Sequence, residues 1–167
     1  RSGFVAPAAR VAQLSALDWP AAVEAVLSSS GNPPENYPAS VYTWDSGRGY
    51  DIYIDLVKWW LDRCATTPAP RVEKMTLFWH GHFVSEWDVV GRTDQMMAQN
   101  QLFRDNAVGD FRALTHAMSL QPAMLIYLSN GVNVKGSPNQ NFARELLELF
   151  TLGIGNYAPT TATFRFT

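Results

Sequence analysis

An all-α fold, an irregular bundle of about seven or eight helices with one long ordered loop, is what the sequence predicts, on three observations. Apolar residues recur at intervals of three and four through most of the chain. No stretch shows sustained strand alternation, and no hairpin turn joins two β-rich runs. The third observation is the segment Ser137 to Gly153, where helix start, stop and both faces can be read together. Ser137 suits the N-cap, Pro138 the first helical position, Gln140 the position that reaches back to the cap, and Gly153 a left-handed stop. At about 100° per residue, Phe142, Ala143, Leu146, Leu147, Leu149 and Phe150 share one arc. Asn141, Arg144, Glu145, Glu148 and Thr151 gather opposite, and Arg144 lies four residues from Glu148, within pairing reach.

The elements follow in chain order. Val11, Leu14 and Leu17 place a helix over Pro7 to Leu17, and Asp18-Trp19-Pro20 caps a second, short one to about Ser28. Ser29 to Gly49 shifts to Ser, Gly, Asn, Pro and Tyr, a long connection that Tyr37, Tyr42 and Trp44 would pack down. Tyr50 to Cys64 is apolar almost all round, with one polar seam of Asp51, Asp55, Lys58 and Asp62. Arg71 to Phe83 resumes helical spacing through Val72, Met75, Phe78, Trp79 and His82, which puts His80 on the other side, near Glu73 and Thr76. Glu86 to Arg92 reads as a connection. Thr93 to Asn106 is a helix with Met96, Met97, Leu102 and Phe103 inward and an amide cluster, Gln99, Asn100 and Gln101, expected at the surface. Asp110 to Leu120 sets Phe111, Leu114 and Met118 against Arg112, His116 and Ser119, so His116 reads as exposed. Pro122 opens a short helix through Leu128, and Asn130-Gly131 turns the chain toward the last segment.

Composition narrows the function classes. The 167 residues suffice for one domain, which should bury on the order of 70% of the surface its unfolded chain exposes. Six Trp and a 13% aromatic share exceed what a minimal domain needs, so either the core is large or a partner covers part of it. Thirteen basic against fifteen acidic residues, with no basic run, lack the footprint of a nucleic-acid binder. No apolar stretch approaches the ~20 residues of a transmembrane helix. The single cysteine, Cys64, has no internal disulfide partner and reads as a packing residue.

The stretches FWHGHF, QNQLFR, PAMLIYLSNG and NQNFARELLELFTLGIGNY, in that order, closely resemble the bacterial family catalogued as domain of unknown function 1800. With the opening RSGF the resemblance covers roughly residues 1 to 157, which would be one helical domain, the N-terminal portion of a longer family domain. Family members are typically longer and exported, which implies a periplasmic, cell-surface or extracellular setting and, as partner, the remainder of the same domain or another protein chain. Two departures stand out. The family usually has glutamate where Gln140 stands, which weakens a metal reading that uses this position. Residues 158 to 167, APTTATFRFT, replace a further helix and read as a non-helical tail or a segment that follows missing residues.

Two function hypotheses remain. One is a structural or binding module of an exported helical protein, since no Gly-x-Ser-x-Gly nucleophile motif and no strong metal spacing is present. The other is a metal-assisted hydrolase or related enzyme holding a divalent metal. There His80 and His82 would be imidazole ligands, Glu145 or Glu148 a carboxylate ligand or general base, and Arg144 an anion clamp. On one continuous helix the two imidazoles point about 160° apart and could not share a metal; they would meet only if Gly81 ended the helix. A buried polar network joining Glu145 or Glu148 to Arg144, His80 or His82 is the corresponding structural expectation.

Overall fold

A computed structural model describes residues 3–4, 7–28, 37–42 and 47–154, and over these the chain forms nine α-helices and no strand. The helices are α1 (Ala8–Ser15), α2 (Trp19–Leu27), α3 (Gly49–Thr66), α4 (Pro70–His82), α5 (Trp87–Val90), α6 (Thr93–Asp105), α7 (Phe111–Ser119), α8 (Pro122–Tyr127) and α9 (Asn141–Glu145). The all-α expectation holds. Trp44, the Pro33-Pro34 pair and the predicted tail at 158 to 167 lie outside the described residues.

Local chemistry explains several boundaries. Asp18 accepts the Ala21 N–H at 2.8 Å and Asp110 accepts that of Ala113 at 2.8 Å, so each satisfies a backbone donor that the first helical turn leaves free. Pro122 opens α8, where the Gln121 side chain takes over the capping role by accepting from Ala123 at 2.6 Å. The predicted connection Glu86 to Arg92 contains a helical turn, α5, which Gly91 closes at φ +65°, a conformation that costs glycine little.

The last helix begins later than predicted. Ser137 bridges back to Val134 instead of capping, and the Asn139 side chain accepts the Asn141 N–H at 2.9 Å, an Asx turn that holds Pro138 and Asn139 outside the helix. From Leu146 to Thr151 the chain continues as a π-helical turn, in which the Leu152 N–H reaches the Leu147 carbonyl at 2.8 Å. This wider turn shifts the phase of the apolar arc: Phe142 and Phe150 are buried, while Leu149 is exposed. Gly153, at φ +82°, supplies the predicted stop.

Two large apolar clusters, and a smaller third of Ala69, Val72 and Ala107, support the bundle. Phe83, Phe103, Leu114, Met118, Met124, Leu128, Phe142 and Phe150 form one, which ties α6, α7 and α8 to the last helix. Val41, Ile52, Leu56, Val90, Met96 and Ala123 form the other, with Tyr37, Trp59 and Trp87 against it. Within the long connection, Tyr37 packs against Trp59, ring centroids 4.5 Å apart; residues 29–36 and 43–46 lie outside the described residues. His116 is exposed, as its helix face implies, and Cys64 is partly buried, its thiol pushed up to about 11, chiefly by burial and then by the Glu73 charge. Such a thiol stays protonated and unreactive at neutral pH.

Candidate functional site

The strongest concentration of charge is inside the protein, where periodicity placed the solvent. On α4 the apolar arc was expected inward, yet Phe78 is 56% exposed while Glu73 and Thr76 are wholly buried. The reason is that α3 and α6 present donors to this face. Glu73 Oε1 accepts from Arg63 Nε at 2.6 Å and Arg104 Nε at 2.7 Å, and Oε2 accepts from Arg104 Nη2 at 2.9 Å and Trp60 Nε1 at 3.0 Å. Four donors fill the carboxylate. Arg104 is itself satisfied by Asn100 Oδ1 at 2.7 Å and Gln101 Oε1 at 2.8 Å, and its guanidinium lies over the Trp59 ring. The amide cluster expected at the surface therefore includes buried members, Gln99 and Asn100, because Arg104 and the Ser85 hydroxyl draw them inward.

The titration of Glu73 follows from the same contacts. Burial is the largest single influence and would raise its pKa, but the hydrogen bonds and charges of Arg104 and Arg63 together outweigh it and hold the group below the ordinary 4.5. Glu73 is thus a closed anion, with no lone pair left for substrate.

The residues singled out in sequence are distributed differently. Helix α4 runs through Gly81 to His82 without a break, so the two imidazoles diverge. His80 faces Trp60 and Phe103, and burial, opposed by a smaller backbone hydrogen bond, lowers its pKa below 6.5. His82 packs against Phe83, Phe111 and Phe150, and its Nε2 is 2.9 Å from the Phe150 carbonyl. A carbonyl only accepts, so Nε2 carries a proton and Nδ1 is the ring nitrogen left for another partner. Arg144 and Glu145 do pair, at 2.8 Å, but Arg144 is 55% exposed and the contact lies at the surface. Glu148 is half-buried on the following π-helical turn. The buried network expected around Glu145 or Glu148 is therefore found elsewhere, among Arg63, Glu73 and Arg104. Among the described residues, no three His, Cys, Asp or Glu side chains gather as a metal-binding group.

Two hollows adjoin the strip Val84 to Glu86. One is a cleft of about 660 Å³ in which His82, Glu86, Asn141 and Glu145 are the polar lining, with Leu149 and Phe150 of the π-helical turn on its wall. The other is a pocket of about 470 Å³ walled by Tyr53, Trp60, Trp87 and Tyr127, with His80 and Asn100 among its polar lining. Val84, Glu86 and Tyr127 border both. His82 and Glu145 thus share one cleft while His80 stands in the other. The signal that could have located the buried charges is that Arg63 falls outside the polar seam of α3, and that Arg104 follows the amide cluster at a four-residue spacing from Asn100.

The fold and hollows define a helical-bundle domain with a charged internal clasp. Its sequence matches, over residues 1–161, the family described as Protein of unknown function (DUF1800), and the chain belongs to that family. No curated protein matches it. No solved structure matches it either.

Proposed function

We propose that the chain is a structural or binding module of an exported helical protein. The observation that carries this reading is the closure of the Arg63–Glu73–Arg104 clasp: the buried Glu73 carboxylate spends all its hydrogen-bonding capacity on holding three helices together. A catalytic carboxylate needs a lone pair or proton directed at a reacting atom, and Glu73 has none to direct. The remaining polar side chains line open hollows, an arrangement suited to holding a ligand or a neighbouring polypeptide. The natural neighbour is the remainder of the same domain or another chain, a surface consistent with exposed Trp19, Leu61 and Phe78. Export rests on what family members are like, and fractionation of cells carrying the intact protein tests it.

A second reading is favoured by one observation, that His82 and Glu145 line the same cleft with Glu86. A metal-assisted hydrolase would use His82 through Nδ1, with Glu145 or Glu148 as ligand or base and Arg144 as anion clamp; His80, in the other pocket, would not join that set. Metal analysis of protein purified without added metal separates the two readings. The module reading expects no stoichiometric zinc, iron or manganese. Stoichiometric metal that is lost in both His82→Ala and Glu145→Gln would overturn it in favour of the enzyme.

A further inference from the structure

The pocket between α3, α4 and α6 contains a polar group whose partners are only half supplied. Asn100 is 5% exposed, and its Oδ1 accepts from Arg104 Nη2 at 2.7 Å. A guanidinium only donates, so the amide orientation is fixed: oxygen toward Arg104, nitrogen away from it. The two N–H groups of Nδ2 have no acceptor among the described residues, although Asn100 borders the pocket. Nδ2 is not among the buried side-chain atoms left without a partner, so it is accessible from the pocket, and an acceptor placed there would complete the amide's hydrogen bonds. The walls around it are flat rings, those of Tyr53, Trp60, Trp87 and Tyr127, with Leu56 and Met96 between them. Tyr53 and Trp87 are stacked, ring centroids 4.9 Å apart, so this wall is already ordered. The volume, about 470 Å³, is in the range of small-molecule sites.

We infer that this pocket is a binding site for a small, uncharged, flat-ringed molecule carrying a carbonyl or hydroxyl oxygen, with the oxygen accepting from Asn100 Nδ2 and the ring held between the aromatic walls. Aromatic faces provide area at low entropic cost, and the one directed donor sets the orientation. Glu86 borders the pocket and disfavours an anion. Glu73 does not line the pocket and is filled by its two arginines and Trp60, so it offers a cation nothing there. This deepens the module reading by naming a ligand class, and it is tested apart from it, since metal content is not the readout.

The test uses two probes of one shape: acetylnaphthalene, a flat uncharged ketone, and ethylnaphthalene, which lacks the oxygen. Affinities are measured by equilibrium dialysis and saturation-transfer NMR on the wild-type chain, Asn100→Asp and Val57→Trp. Asn100→Asp keeps an oxygen for Arg104 and replaces the donor by an acceptor, whereas Val57→Trp fills the pocket from its wall. The expected result is that the ketone binds about tenfold more tightly than the hydrocarbon, as one directed hydrogen bond in a desolvated site implies. That ratio should collapse in Asn100→Asp, and both probes should be lost in Val57→Trp. Equal binding of the two probes, a ratio unchanged in Asn100→Asp, or no binding of either probe overturns the inference. If Asn100→Asp does not fold, Val57→Trp decides: retention of ketone binding there overturns it and loss supports it.

Discussion

Residues 103 and 104 are neighbours on α6 and almost equally buried, yet they belong to two regions held together by different physics. Phe103 packs into the apolar cluster with Phe83, Leu114 and Met118, while Arg104 closes the clasp with Glu73 and Arg63. In the apolar region each contact is non-directional, so a lost methyl group costs only what it contributed plus the cavity left behind. In the clasp the partners come from three helices, and each ion has already lost its water. Such a cluster need not stabilise more than an apolar replacement would, but it tolerates no missing member. The comparison teaches that equal burial does not mean equal fragility.

The largest effect expected from this contrast is at Glu73. Glu73→Gln would leave Arg63 and Arg104 buried with no counter-charge, at a cost of about 3–5 kcal/mol in urea denaturation. Replacing all three members with apolar residues, Arg63→Met with Glu73→Leu and Arg104→Met, should recover most of that loss. A Glu73→Gln variant within about 1 kcal/mol of wild type would remove the distinction between the two regions. Acid provides the same test without mutation. The folded carboxyl has a pKa below its unfolded value of 4.5, so its contribution is fully present above 4.5 and is lost as pH falls through the lower folded value. Stability of the wild type should therefore decline below pH 4.5 by more than that of the apolar triple variant.

Next in size is the apolar region. Leu114 is 1% exposed in the cluster of Phe103 and Met118, and Leu114→Ala should cost about 3 kcal/mol, transfer and cavity terms together. Its penalty should be the same on both sides of pH 4.5, because no titratable group changes partner. A penalty that grows in acid would mean that the two regions are coupled through α6 and do not act separately.

How legible these regions were in the sequence follows from the same contrast. Helices with one apolar arc, such as the one bearing Leu114 and Met118, are read correctly because periodicity records which side avoids water. On α4 that rule turned Glu73 and Thr76 outward, since periodicity cannot see that Arg63 and Arg104, 10 and 31 residues distant, bring compensating donors. The last helix failed for a local reason: Asn139 competes with Ser137 for the turn, and the π-helical turn at Leu146–Thr151 breaks the spacing assumed for its arc. Of the site residues, sequence placed His80 and His82 on divergent sides of α4. It did not separate a surface pair at Arg144–Glu145 from a buried one, because both give the same pattern of charges.

The smallest effect is expected at that pair, where the comparison is sharpest because the charges resemble those of the clasp. Arg144 and Glu145 are adjacent in sequence, and adjacent residues on a helix do not face each other, so the contact needs the long arginine side chain to fold around toward its neighbour. Arg144 is also shared with Asn141 Oδ1 at 3.2 Å. With Arg144 55% exposed and Glu145 17%, the guanidinium keeps much of its hydration. The Coulomb gain is screened, and the ordering of two flexible side chains opposes it. Glu145→Gln should therefore change stability by no more than about 0.5 kcal/mol, and added salt should erase even that. Urea denaturation at low and high salt measures both. A loss of about 2 kcal/mol or more that persists in salt would mean that Glu145 is fixed by the walls of the His82 cleft and not by Arg144, and would return the carboxylate to the candidates for a buried functional network.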